Sequence, residues 1–156
     1  MIAIPKQWSR HEFGDIACLV KDKVSPSTLG DAHDCVELEH IESDTGRLLG
    51  STSTLHTTST KTPFRPGDVL FGKLRPYLRK YWLAVKDGVC STEIWVLRPR
   101  NSAVSAGYLH LLVQTDFFQR WANMTTGSKM PRAEWDAVSE APFPIPTAYE
   151  QQRIET

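Results

Sequence analysis

The chain has 156 residues, 18 Lys+Arg against 18 Asp+Glu, and 40% hydrophobic residues. That fits one ordinary globular domain and excludes a multidomain machine and a uniformly basic binder. No stretch approaches the roughly 20 apolar residues of a membrane span, and Met1 to Lys6 lacks a signal-peptide pattern, so the expected setting is cytoplasmic, with no membrane partner.

Taken in chain order, the first predicted strand is Cys35 to Ile41, where Val36 and Leu38 alternate with acidic residues. Ser43 to Thr62 follows, with eleven Ser or Thr in twenty residues, too poor in large apolar groups to form a core and read as a loop or edge excursion. Pro66-Gly67-Asp68 is turn chemistry that delivers a buried strand, Val69-Leu70-Phe71, ending at Gly72. Tyr81, Leu83 and Val85 share one face of the next strand, and Asp87-Gly88 predicts a hairpin into Ile94–Leu97. From Tyr108 to Trp121 apolar residues recur at helical spacing, which predicts a single long helix.

Toward the end, Ala141 to Pro146 carries three prolines and reads as an extended edge segment. Thr147-Ala148-Tyr149-Glu150 fits a capping box at a helix start. With six residues following it, that helix is marginal alone, so the chain is expected to stop inside a helix that continues or that another chain completes. The fold class expected is α/β of the α+β type, with a bent, mostly antiparallel sheet and peripheral helices.

The zero net charge conceals a polarity. Residues 31–46 hold six acidic residues and no Lys or Arg, whereas 61–80 hold six cations and one acid. The expected arrangement sets these blocks on opposite faces.

Catalytic chemistry finds little support in the residues. The cysteines, Cys18, Cys35 and Cys90, form no C-x-x-C pair and read as buried small hydrophobes. The five histidines make no metal-ligand spacing, and P-loop, G-x-G-x-x-G and G-x-S-x-G devices are missing from the sequence. Glu93 with Asp87, or Glu134 with Asp136, could form an acid/base or metal pair, but solvated carboxylates are the ordinary alternative.

Three segments suit phosphate or base contacts instead. Gly72 to Lys80 interleaves Lys73, Arg75, Arg79 and Lys80 with Pro76 and Tyr77; a soluble basic loop would have the same composition. Thr126-Gly127-Ser128-Lys129-Met130-Pro131-Arg132 combines small residues with donors, and equally fits a helix C-cap. Thr58-Ser59-Thr60-Lys61 offers hydroxyls and a cation, or a surface loop.

At these residues the sequence resembles target recognition domains in specificity (S) subunits of type I restriction-modification systems. Phe64-x-x-Gly67-Asp68-Val-Leu-Phe-Gly72-Lys-Leu-Arg-Pro-Tyr-Leu-x-Lys80 and Gly88-Val-Cys90-Ser-Thr-Glu93 resemble the family core. Val36 to Ile41, Gly127-x-x-Met130-Pro131-Arg132, and Pro144-x-Pro146 with Glu150-Gln151-x-x-Ile154 are similar to its upstream strand, late loop and exit.

The resemblance implies a non-catalytic module that reads one half of a split double-stranded DNA target. It implies a methyltransferase (M) subunit that modifies adenine with S-adenosylmethionine and a restriction (R) subunit using ATP and Mg²⁺. No cofactor or metal is then expected on this chain. The implied organisation is a recognition domain over 1–146 and the opening of a spacer helix over 147–156. The expected DNA-facing residues are Lys61, Lys73, Arg75, Tyr77, Arg79, Lys80, Ser128, Lys129 and Arg132, with base readers also sought in 43–62 and 98–106. A homodimer or a second recognition domain would supply the other half-site. The alternatives are an incomplete specificity subunit acting as an assembly decoy, and a small metal-dependent nuclease built on Glu93.

Overall fold

The run Val69-Leu70-Phe71 is apolar at consecutive positions because it is covered on both faces. Val69 and Phe71 point into one core cluster and Leu70 into another, all fully buried. The computed structural model describes residues 5–124 and 129–155. Its strands are β1 (Ser9–Glu12), β2 (Ala17–Leu19), β3 (Asp34–Val36), β4 (Thr52–Ser53), β5 (Lys61–Phe64), β6 (Val69–Gly72), β7 (Tyr81–Leu83), β8 (Gly88–Ser91), β9 (Ile94–Pro99) and β10 (Pro142–Ile145). The helices are α1 (Phe13–Ile16), α2 (Ala106–Leu112), α3 (Asp116–Ala122), α4 (Trp135–Val138) and α5 (Ala148–Glu155). This is a mixed α/β domain, as expected, but the strands divide among three sheets rather than one bent sheet.

The sheet β2-β9-β6-β7 is the middle layer and is antiparallel throughout. Trp95 and Leu97 of β9 face the same side as Phe71, where Phe13, Leu109, Leu112 and Phe118 from the helices close the larger core. Ile94 and Val96 face the other side, against Val36, Phe64 and Cys90 of the second sheet, β4-β3-β8-β5. The period of two in β9 thus serves two cores at once. Each large apolar side chain so buried contributes about 1.5–3 kcal/mol. Within the second sheet β3 and β8 run parallel, and the other pairs are antiparallel. The proline-rich segment forms β10, which pairs with β1 in a two-stranded sheet and so spares its prolines a central position.

Four expectations are corrected. The strand predicted over Cys35–Ile41 ends at Val36, because Glu37 opens a capping box: its carboxylate accepts from the backbone of His40, and Glu37 N donates to His40 Nδ1 at 2.9 Å. Residues Leu38–His40 are therefore a 3-10 turn.

Asp87-Gly88 closes no hairpin between the flanking strands. Both β7 and β9 pair with β6, while Gly88 opens β8 in the other sheet, and Val85 lies past the end of β7, 76% exposed. The turn signal is local and carries no information about which sheet the chain enters next. Glycine is required here by packing: a Cβ would lie 2.6 Å from Phe64 Cζ and 2.9 Å from the Asp34 carbonyl.

The long helix is two helices. Thr115 Oγ1 donates to the Leu112 carbonyl at 2.7 Å and accepts from Phe118 N at 3.2 Å, so one side chain closes α2 and caps α3. Apolar spacing survives the break because both helices cover the same core.

The acidic and basic blocks are neighbours rather than opposites. Glu37 Oε1 lies 2.8 Å from Lys61 Nζ, Asp44 Oδ1 lies 3.9 Å from Arg79 Nε, and Ser43 bridges Lys80. Zero net charge is therefore partly local neutralisation.

The capping box at Thr147 is present, with Glu150 N donating to Thr147 Oγ1 at 3.2 Å. Gln151 secures α5 to the domain: it is buried, its amide donates to the carbonyls of Ala103 (2.8 Å) and Pro146 (3.0 Å), and its oxygen accepts from Ser105 N (3.0 Å). Among the described residues no helix is long and apolar enough to cross a membrane.

Candidate nucleic-acid interface

The basic segment leaves β6 at Gly72 and returns as β7 at Tyr81, with Pro76–Leu78 forming a 3-10 turn between two left-handed arginines. Arg75 and Arg79 both have φ of 52°. Such a conformation costs a non-glycine residue about 1–2 kcal/mol, so the surrounding bonds must hold it. They come from both sides. Arg75 N donates to the Pro131 carbonyl at 2.7 Å, and Asp44 N donates to the Arg79 carbonyl at 2.8 Å.

Three segments distant in sequence are thereby laid side by side: residues 129–132, the turn 73–80, and the hairpin closed by the Ile41–Leu48 bridge. Leu74 and Arg132 form an antiparallel bridge, and Ala133 N donates to the Lys73 carbonyl at 2.8 Å. Glu93 clasps this junction. Its carbonyl accepts from Lys73 N at 3.0 Å, while its carboxylate takes both Arg132 Nε (2.9 Å) and Nη2 (2.7 Å) in a bidentate pair. The hydrogen bond from Arg132 holds the Glu93 carboxyl below its ordinary range.

The cations then sort by environment. Arg75 and Lys129 are exposed and Lys73 is half-buried, and no hydrogen bond or ion pair is made by their side chains among the described residues. Tyr77 (56% exposed), Leu78 and Met130 put apolar surface on the same edge. Arg132 is exposed but oriented by Glu93.

Three of the expected residues are committed to the fold. Lys61 is buried, its ammonium bonded to Glu37 and to Ser59 Oγ at 3.0 Å, and it contributes nothing to a positive face, contrary to expectation. Arg79 donates to Asp116 Oδ1 (2.7 Å) and to the Gln114 carbonyl (3.2 Å), tying the basic turn to the joint between α2 and α3. Lys80 Nζ donates to the Leu38 carbonyl at 2.7 Å. Ser128 lies outside the described residues.

The hairpin at 41–48 is the element that reading the sequence missed. Asp44 and Gly46, both with positive φ, lie between apolar Ile41 and Leu48, a turn signal submerged in the Ser/Thr-rich stretch. The motif residue Asp68 is structural too: buried, it accepts from Arg98 Nε and Nη2, both at 2.8 Å, and from Arg65 N at 2.9 Å.

The carboxylate of Glu93, on which a nuclease centre would be built, is engaged in the fold. Both its carboxylate oxygens accept from Arg132, and among the described residues no group of three His, Cys, Asp or Glu is placed to hold a metal ion.

The domain thus presents a cationic loop edge on which Glu93 is paired with Arg132. No family model matches the chain. It is 33% identical, over 97% of its length, to the type I restriction enzyme EcoDI specificity subunit of Escherichia coli. It superposes with a TM-score of 0.85 on the crystal structure of the HsdS subunit from Thermoanaerobacter tengcongensis, at 25% identity and over 99% of its own length. A chain from a structure described for complex assembly and conformational transition of the type I R-M system gives 0.84 over 99%, at 24% identity. The chain is thus similar in sequence and in fold to a part of type I specificity subunits. It spans 34% of the curated relative and 41–42% of the two solved chains.

Proposed function

We propose that the chain reads one half-site of a split double-stranded DNA target as the specificity module of a type I-like restriction-modification system. The observation that carries this is the union of the 73–80 and 129–132 segments into one cationic edge by the Arg75–Pro131 and Glu93–Arg132 bonds. Both are segments that the family resemblance singles out. Lys73, Arg75, Lys129 and Arg132 meet phosphates, and Tyr77 lies over the sugar-phosphate or base edges between them.

In this reading the chain performs no chemistry. A methyltransferase subunit with S-adenosylmethionine modifies adenine, and a restriction subunit supplies ATP- and Mg²⁺-dependent cleavage in the cytoplasm. Helix α5, fastened by Gln151, opens the spacer over 147–156, and a second recognition domain or a second copy reads the other half-site.

The test is base-resolution mapping of methylated adenines in cells carrying this chain with its methyltransferase, alongside duplex-DNA binding by the purified complex. A methylated motif that disappears when the chain is deleted is the expected result. Partner binding without DNA affinity at low salt would instead mark an assembly decoy.

A further inference from the structure

The hairpin Ile41–Leu48 differs in charge from the rest of the loop edge. Glu42 N donates to the Arg47 carbonyl at 3.0 Å, Arg47 N donates to Thr45 Oγ1 at 3.2 Å, and Gly46 (φ 74°) completes the turn. Its tip abuts the basic turn through the Asp44–Arg79 backbone bond and the Ser43–Lys80 bridge. A Cβ on Gly46 would lie 3.3 Å from His110 Cε1, so the tip also rests against α2.

Two carboxylates, Glu42 and Asp44, stand here beside cations. Carboxylates are repelled by phosphates, so this element is ill suited to clamping a backbone. Base edges offer donors as well as acceptors: a carboxylate accepts from cytosine N4, and an arginine donates twice to guanine O6 and N7. The major groove admits a two-stranded ribbon, and a hairpin closed by the single Ile41–Leu48 bridge is no wider. Arg47 supplies the donor. Its backbone N–H and carbonyl are both hydrogen-bonded, its side chain is 71% exposed, and its approach to Glu42 is 3.9 Å, beyond hydrogen-bond length.

We propose that the hairpin Ile41–Leu48 is the base-reading element of this domain, and that Arg47 is its specificity-determining residue, donating to a guanine edge in the major groove. Lys73, Arg75 and Lys129 hold the phosphates that set its register. This rests on the DNA-reading function above and assigns its specificity to a particular element.

The test selects duplexes from a random library with the wild-type chain in complex with its methyltransferase, and with Arg47→Lys, Arg47→Ala and Lys73→Gln in the same complex. The expected wild-type motif contains an invariant guanine. Arg47→Lys keeps the charge but not the planar fork, so discrimination at that one position falls roughly tenfold to a hundredfold while the salt dependence stays unchanged. Arg47→Ala loses the same position, and Lys73→Gln keeps the motif but lowers the salt slope by about 0.9. Matching circular dichroism spectra establish that the exposed substitutions leave the fold intact. If Arg47→Lys selects the wild-type motif with undiminished discrimination, the assignment to Arg47 is overturned while the DNA-reading function stands. If the wild-type complex enriches no sequence at low salt, the function itself is overturned.

Discussion

The backbone N–H of Asp44 donates to the carbonyl of Arg79 across 2.8 Å, and both residues are left-handed, with φ of 69° and 52°. An acidic hairpin and a basic turn are thus joined where each bends most sharply. Strain of this kind persists only where neighbouring bonds over-determine it. Here they do so on both flanks: Arg79 is held by Asp44, Asp116 and Gln114, and Arg75 by Pro131. The consequence is a cationic edge whose shape is set by the backbone, which would lower the ordering cost of the proposed DNA binding.

Arg75 offers a direct measure of that strain. Glycine reaches positive φ without a Cβ penalty, so Arg75→Gly should be more stable than Arg75→Ala by about 1 kcal/mol. Both lose the same guanidinium and should weaken duplex binding equally. Urea melts and DNA titrations of the two variants check the pair of expectations, and equal stabilities would contradict the strained turn.

Lys61 and Lys73 should part company when salt is varied. Neutralising Lys73 should reduce the slope of log affinity against log salt by about 0.9 with little change in stability. Lys61→Gln should leave the slope alone and destabilise the fold by about 1–3 kcal/mol, because the half-buried Glu37 loses its cationic partner. A reduced slope for Lys61→Gln would place that lysine at the DNA after all.

Gly88→Ala should destabilise the domain by about 1–3 kcal/mol through overpacking against Phe64. Substituting Phe64 with leucine in the same chain should recover part of the loss, since the ring is one of the two obstructing groups; the Asp34 carbonyl remains. Thermal unfolding of the single and double variants, arranged as a double-mutant cycle, reads the coupling.

The Glu93–Arg132 clasp should respond to acid with a definite sign. The folded-state pKa of Glu93 lies below its ordinary 4.5, chiefly through the hydrogen bond from Arg132. A carboxylate of this kind contributes stability that is present above its unfolded pKa and lost as pH falls through the folded one. The stability difference between wild type and Glu93→Gln should therefore be constant near neutral pH and shrink below about pH 4. A difference that grows on acidification would contradict the clasp.

Much of this was legible in order along the chain. The apolar run at Val69–Phe71, the proline-bearing edge strand and the capping box at Thr147 were read correctly because each depends on local chemistry: consecutive burial, missing N–H donors, a side chain reaching a backbone three residues away. Asp87-Gly88 misled because a turn signal does not name the next strand's partner. The spacing over 108–121 predicts one continuous helix because it persists through a break that Thr115 makes with two hydrogen bonds.

The sequence by itself determined that the charge is polarised, that its motifs resemble those of target recognition domains, and which segments bear its cations. Only the tertiary structure decided which cations remain available. Lys61, Arg79 and Lys80 are as basic as Lys73 and Arg75, yet the first three are taken up by Glu37, Asp116 and the Leu38 carbonyl. The physical reason is that a charge's partner is set by proximity in space. In this fold, strands far apart in sequence bring the acidic block against the basic one.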